Sequence, residues 1–206
     1  MKKVAGFHIS VLIYILFMYL TQETFSFMGL NIFLAWLPLI FGRFFLRGKN
    51  KWPFLFIPLW LLFFPNVPYL LTDLFHLASL GIYQSGGHFW NITSDWWAYL
   101  TLVLPTIVMV FIGMAQVFKL FSAIKLSVRQ KIASFVLLAF LASVAIYIGR
   151  FERIHSIELL IHPLAVFKLL VIDWNLAKVQ FVLLFSILQL GIWGLIYFLR
   201  RDGQEE

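Results

Sequence analysis

Long apolar runs constrain this chain more than any other feature, because each is the length of a helix that crosses a bilayer. A hydrocarbon core about 30 Å thick takes about 20 residues of helix. Runs that qualify lie at about 4–20, 27–46, 54–71, 97–120, 132–148 and 179–199. Strands of an outer-membrane barrel would alternate apolar and polar residues over about ten positions, and these runs do not alternate. With 62% of its residues hydrophobic and 12% charged, the chain lacks the polar surface of a compact soluble globule. The sequence therefore predicts an all-α, polytopic transmembrane bundle of about six helices forming a single integral membrane domain, with the lipid bilayer as its solvent. One further apolar stretch, 164–172, is too short to span and carries Lys168, which fits an interfacial or re-entrant segment.

Charge tests the count of spans. Lys2, Lys3, Arg43, Arg47, Lys49, Lys51, Lys119, Lys125, Arg129, Lys131, Arg200 and Arg201 fall in one alternating set of connections. The other set carries Glu23, Asp73, Asp95, Glu152, Glu158 and Asp173 against Arg150, Arg153, Lys168 and Lys178. Basic residues collect in cytoplasmic loops, so both termini are expected inside and two long loops, about 72–96 and 149–178, outside. The net charge of +7 is then a matter of topology, and no nucleic-acid partner is expected. Trp90, Trp96, Trp97 and Trp174 fall at the expected outer boundary, and Trp52 and Trp193 at the inner one. Lys2 and Lys3 ahead of an apolar run resemble a signal peptide, but the run ends Phe17-Met18-Tyr19-Leu20 without small residues for cleavage, which favours a retained first helix.

Three places carry polar residues that such a chain must explain. In FPNVPYLLTDLFH, at 64–76, Pro65 and Pro68 each remove a backbone donor, so the third helix should be kinked or broken with carbonyls freed near Asn66. Asp73 and His76, three apart, share a face of a helix and suit a divalent metal or a proton relay. Equally, the prolines end the helix, Asp73 caps the next one and His76 lies among headgroups. In IGRFERIHSIELLIHP, at 148–163, Arg150 and Arg153 stand at i, i+3 and can clamp a phosphate or carboxylate. His155, Glu158 and His162 form a stripe that can ligate a cation or mark the wet side of an interfacial helix. Asn31, in the second helix, sits at a depth comparable to Asn66, and a buried amide there ordinarily bonds a neighbouring helix; Gln180 and Gln189 invite the same reading. The chain has no cysteine, which excludes thiol chemistry and disulfides. Walker, HExxH and GxSxG signatures are absent, and no charge lies deep inside a run.

The strings NIFLAWLPL around Asn31, PNVPYLLTDLFHL at 65–77 and IYIGRFERIHSIE at 146–158 resemble a family of bacterial integral membrane proteins known as domain of unknown function 1361. The resemblance implies a multi-pass protein of the bacterial cytoplasmic membrane, and a shared pattern of Asn31, Asn66, Asp73, His76, Arg150 and Glu158. Glu158 stands where the family usually has Asp, and His155 where Asn is expected, which weakens the three-ligand stripe. No activity comes with the resemblance.

Together these features predict a membrane protein with an extracytoplasmic polar site for a ligand or substrate, drawn from Asn31, Asn66, Asp73, His76, Arg150, Arg153 and Glu158. A membrane enzyme acting on lipid headgroups, with Asp73 and His76 as metal ligands or acid and base, is one alternative. A structural or accessory subunit, with Asp73 paired to Arg150, is another. A transporter is disfavoured by the absence of visible repeats.

Overall fold

The computed structural model describes residues 2–21, 24–48, 52–81, 92–124, 126–153 and 161–202, and all of their regular structure is helical. The helices are α1 (Lys2–Thr21), α2 (Met28–Arg47), α3 (Phe56–Phe63), α4 (Asn66–Asp73), α5 (Thr93–Ala123), α6 (Val128–Tyr147), α7 (Pro163–Val171) and α8 (Leu176–Asp202). Among the described residues, five segments, against the six expected, are long and apolar enough to cross a membrane: Met28–Arg47, Phe56–Ser79, Thr93–Ala123, Val128–Glu152 and Leu176–Asp202. The apolar part of α1, Ala5–Thr21, is shorter. A polytopic helical bundle results. Its surface is apolar where a bilayer would touch it: Ile13, Leu104, Leu137, Leu184 and Ile187 point outward, which water would penalise and lipid does not.

The third span is broken, as its prolines require. Pro65 has no N–H to continue the ladder, and Val67 N–H reaches back only three residues, to Phe64 O at 2.9 Å. Phe63 O is thereby released, and the Asn66 side chain takes it up, Nδ2 donating at 2.9 Å. The chain resumes as α4 and then tightens into a 3-10 turn over Leu74–Ser79. Pro38 and Pro105, by contrast, lie within continuous helices. At 31 residues, α5 is about 46 Å long, more than a perpendicular crossing needs, so it tilts or projects. Helix α6 starts with a capping box: Ser127 Oγ accepts from Gln130 N–H, and Gln130 Oε1 from Ser127 N–H at 2.9 Å. It ends in a π turn, Ile148–Glu152, closed by Arg153 in the left-handed region at φ 57°.

Two groups of helices make the bundle. Helix α2 packs against α1, α3, α4 and α5, while α6 pairs with α8. Contacts of α4 with α6 and of α5 with α8 join them. The main core runs through Met18, Ile32, Phe64, Leu70, Leu102, Met114 and Leu138, all buried. Trp193 belongs to that core rather than to an inner aromatic belt, contrary to its expected position: it is 3% exposed, donates Nε1–H to Met114 O at 3.1 Å and stacks on Phe64. Gln189, on the same helix, is fully buried and bonds Ser143 Oγ at 2.8 Å, the helix-to-helix amide link expected of it; Gln180 is exposed.

Basic residues gather at one end. Arg43 and Lys119 line one cavity there, and Lys131, Arg200 and Arg201 another. The opposite end carries Asp73, Arg150 and Lys178, and α7 packs there through Leu169 and Leu170 against Val144, Ile148 and Val182.

Candidate functional site

Four residues from three separate stretches meet at that opposite end, on the seam between the two helix groups. Asp73, the last residue of α4, has no exposed surface. Its Oδ2 accepts from Asn31 Nδ2 of α2 at 2.8 Å, and its Oδ1 from Arg150 Nη1 at 3.2 Å. The second terminal nitrogen of Arg150 donates to Thr72 O and to His76 Nε2, each at 3.2 Å. A guanidinium can only donate, so His76 Nε2 is the accepting nitrogen and the ring proton sits on Nδ1. Tyr69 lies below the guanidinium, 5.9 Å from its ring centroid, and Phe27 packs its ring on His76 at 4.6 Å.

Local structure explains the convergence. Asp73 and His76 face the same way because the helix tightens at Leu74, keeping three residues close to one turn. Arg150 reaches them because α6 widens into its π turn just there, a distortion that recurs at functional sites. The carboxylate is held by one charge-assisted bond from the guanidinium and one amide bond, so burial does not leave it unpaired.

The sequence candidates divide accordingly. Asn31, Asp73, His76 and Arg150 come together. Asn66 does not join them; its recorded bond is the local one to Phe63 O. Asp73 makes no helix-capping bond, so the capping role considered for it is not the one found. Arg153 does not form the expected clamp with Arg150: the π turn and the left-handed residue carry it off that face, and it is exposed. Glu158 and His155 lie outside the described residues, and His162 precedes α7 on the surface. No group of three or more His, Asp or Glu residues that could hold a metal occurs among the described residues. The Asp73–His76 pair does not fit a divalent ion in this arrangement, because Arg150 already directs N–H groups at both donors.

Chemically, Asp73 holds Arg150: both its carboxylate oxygens are engaged and it is sealed from solvent. Arg150 is the group left partly open, its side chain 22% exposed. Two residues with chemistry of their own escaped the sequence reading. Lys178, 2% exposed, donates to Leu169 O and Asp173 O and stands over Trp174 at 4.8 Å, tying the end of α7 to α8. His8 of α1 lies between Trp36 and Arg43 of α2. Lys178 had a sequence signal, a basic residue four positions after Trp174 at a helix start, whereas His8 had none beyond its polarity in an apolar run.

A family model described as protein of unknown function (DUF1361) matches residues 30–192, which contain all four residues of the cluster. No curated protein and no solved structure matches the chain.

Proposed function

Because the chain belongs to the DUF1361 family of proteins of unknown function, and its helices are those of a membrane protein, we propose that it is a multi-pass membrane receptor for an anionic ligand. The ligand is a carboxylate or phosphate, bound at the extracytoplasmic end by Arg150. One observation carries this reading. Arg150 is fixed through both terminal nitrogens by Asp73, Thr72 O and His76 while its side chain stays 22% exposed. A guanidinium oriented before the ligand arrives loses little conformational freedom on binding, and its remaining Nε–H and second Nη1–H can each donate to an anion. The excess of basic residues at the far end supports the outward placement through the positive-inside tendency.

A structural reading draws support from a different fact. Asp73 has both carboxylate oxygens bonded and ties α2, α4 and the end of α6 together, which needs no ligand. Arg150→Lys separates the two. Lysine keeps the charge beside Asp73 but loses the uncommitted guanidinium donors, so the receptor reading predicts a folded protein with near-normal Tm that has lost part of the Tm rise given by succinate or inorganic phosphate. If wild type and Arg150→Lys respond identically to both anions, the cluster is a lock and the receptor reading fails.

A further inference from the structure

At the basic end of the bundle, the imidazole of His8 faces one donor too many. Trp36 Nε1–H points at His8 Nδ1 at 2.8 Å, and Arg43 Nη1 lies 2.8 Å from His8 Nε2. Indole N–H and guanidinium both donate and cannot accept. A neutral imidazole has one lone pair on nitrogen, so it satisfies Trp36 or Arg43 but not both. Protonating the ring makes matters worse, since both nitrogens then donate, one of them toward a cation. The trio is short of one acceptor, and because His8 and Arg43 are only partly buried beside an open cavity, the acceptor must come from whatever enters that space.

The missing acceptor has a place to come from. A cavity of about 420 Å³ opens beside the trio, lined by His8, Arg43, Gln116 and Lys119 together with apolar residues such as Phe7 and Leu39. No acidic residue is among its described lining residues. Gln116 is committed, donating to Leu39 O at 2.9 Å and accepting from Trp60 at 3.3 Å, so it closes the inner wall rather than supplying the acceptor. Lys119 of α5, exposed, faces the same space as Arg43 of α2.

We infer that this cavity binds a phosphate group, with Arg43 and Lys119 supplying charge and His8 Nε2–H a neutral donor while Nδ1 keeps the Trp36 bond. An oxyanion in the cavity that draws the Arg43 side chain away from His8 and bridges the two replaces a donor-against-donor contact with two good bonds, and Lys119 closes the third side. The phosphate can belong to a lipid headgroup, whose chains would lie along Phe7 and Leu46, or to a free phosphorylated solute. Basic pockets between membrane helices are suited to the first.

The test uses the purified full chain in uncharged detergent, titrated by calorimetry with inorganic phosphate and, separately, with short-chain phosphatidic acid. Binding is expected, weakened at least about tenfold by Lys119→Gln and by Arg43→Gln, and little changed by Arg129→Gln, which removes the same charge from an exposed position on α6. Lys119→Gln carries the comparison if Arg43→Gln does not fold. Nitrogen-15 histidine spectra of the wild-type protein, with the His8 signals assigned by His8→Gln, should show Nε2 protonated in the bound state. Binding of phosphatidic acid alone identifies a lipid headgroup, and binding of inorganic phosphate as well identifies the phosphate itself as sufficient. Absence of binding by either probe, or equal weakening by Arg129→Gln and Lys119→Gln, overturns the inference.

Discussion

Asp73 concentrates the consequences of single substitutions, because it is fully buried and serves both Asn31 and Arg150. Asp73→Asn keeps an oxygen for Asn31 but leaves Arg150 without its counter-charge. Removing one partner of a fully buried pair costs about 3–5 kcal/mol, and the partial exposure of Arg150 lets water recover some of that, so about 2–3 kcal/mol is expected from denaturation midpoints. Arg150→Gln alone should cost a similar amount. Their double variant should cost about 1–3 kcal/mol less than the sum; strict additivity would mean the two side chains do not interact. Arg153 behaves oppositely. It holds φ 57°, a conformation that is unfavourable for any residue with a Cβ, so Arg153→Gly should leave stability unchanged or raise it by up to about 1 kcal/mol, and a clear loss of Tm would show that its side chain is engaged. The two arginines also mark how far sequence reaches at this scale. That Asp73 pairs with Arg150 was one of the readings the sequence left open, beside a capping role for Asp73. That Arg153 would leave the face of Arg150 did not follow, because three-residue spacing assumes an α-helix and the backbone there is a π turn.

Among the elements, α4 and α5 approach closely at one glycine. A Cβ on Gly113 would lie 2.5 Å from Val67 Cγ1, and Val67 is itself held in a buried turn just after the proline break. Gly113→Ala should therefore cost about 1–3 kcal/mol through overpacking, and Val67→Ala in the same chain should restore part of it; tolerance of Gly113→Ala alone would argue against the close approach. The cap of α6 offers a milder test: Ser127→Ala, which removes one half of the capping box, should lower stability by about 0.5–2 kcal/mol. Breaks were more legible than joins. Pro65 and Pro68 announced the interruption of the third span because a missing N–H has an unavoidable effect on the ladder. The pairing of α6 with α8 through Ser143, Ser186 and Gln189 is a matter of which faces meet, and the polarity of these residues says only that some neighbour is needed.

For the whole molecule, hydrophobicity and charge placement carry most of the information. Apolar length gave five of the six expected spans, while the apolar part of α1, Ala5–Thr21, is shorter than a span, and the segregation of charge gave two unlike ends. Trp193 shows the limit, since an aromatic residue near a span's end serves equally in a belt and in a core, and only packing against Phe64 and Phe135 decides. Which side of the membrane the Asp73–Arg150 end faces is directly measurable because the chain has no cysteine of its own. Single cysteines at Arg153, beside the cluster, and at Arg129, near the start of α6, should report opposite sides of the membrane. In intact cells, a membrane-impermeant maleimide is predicted to label Arg153→Cys and to reach Arg129→Cys only after the membrane is opened. Labelling of Arg129→Cys in intact cells, with Arg153→Cys protected until lysis, would place the cluster on the cytoplasmic side and contradict the proposed extracytoplasmic receptor.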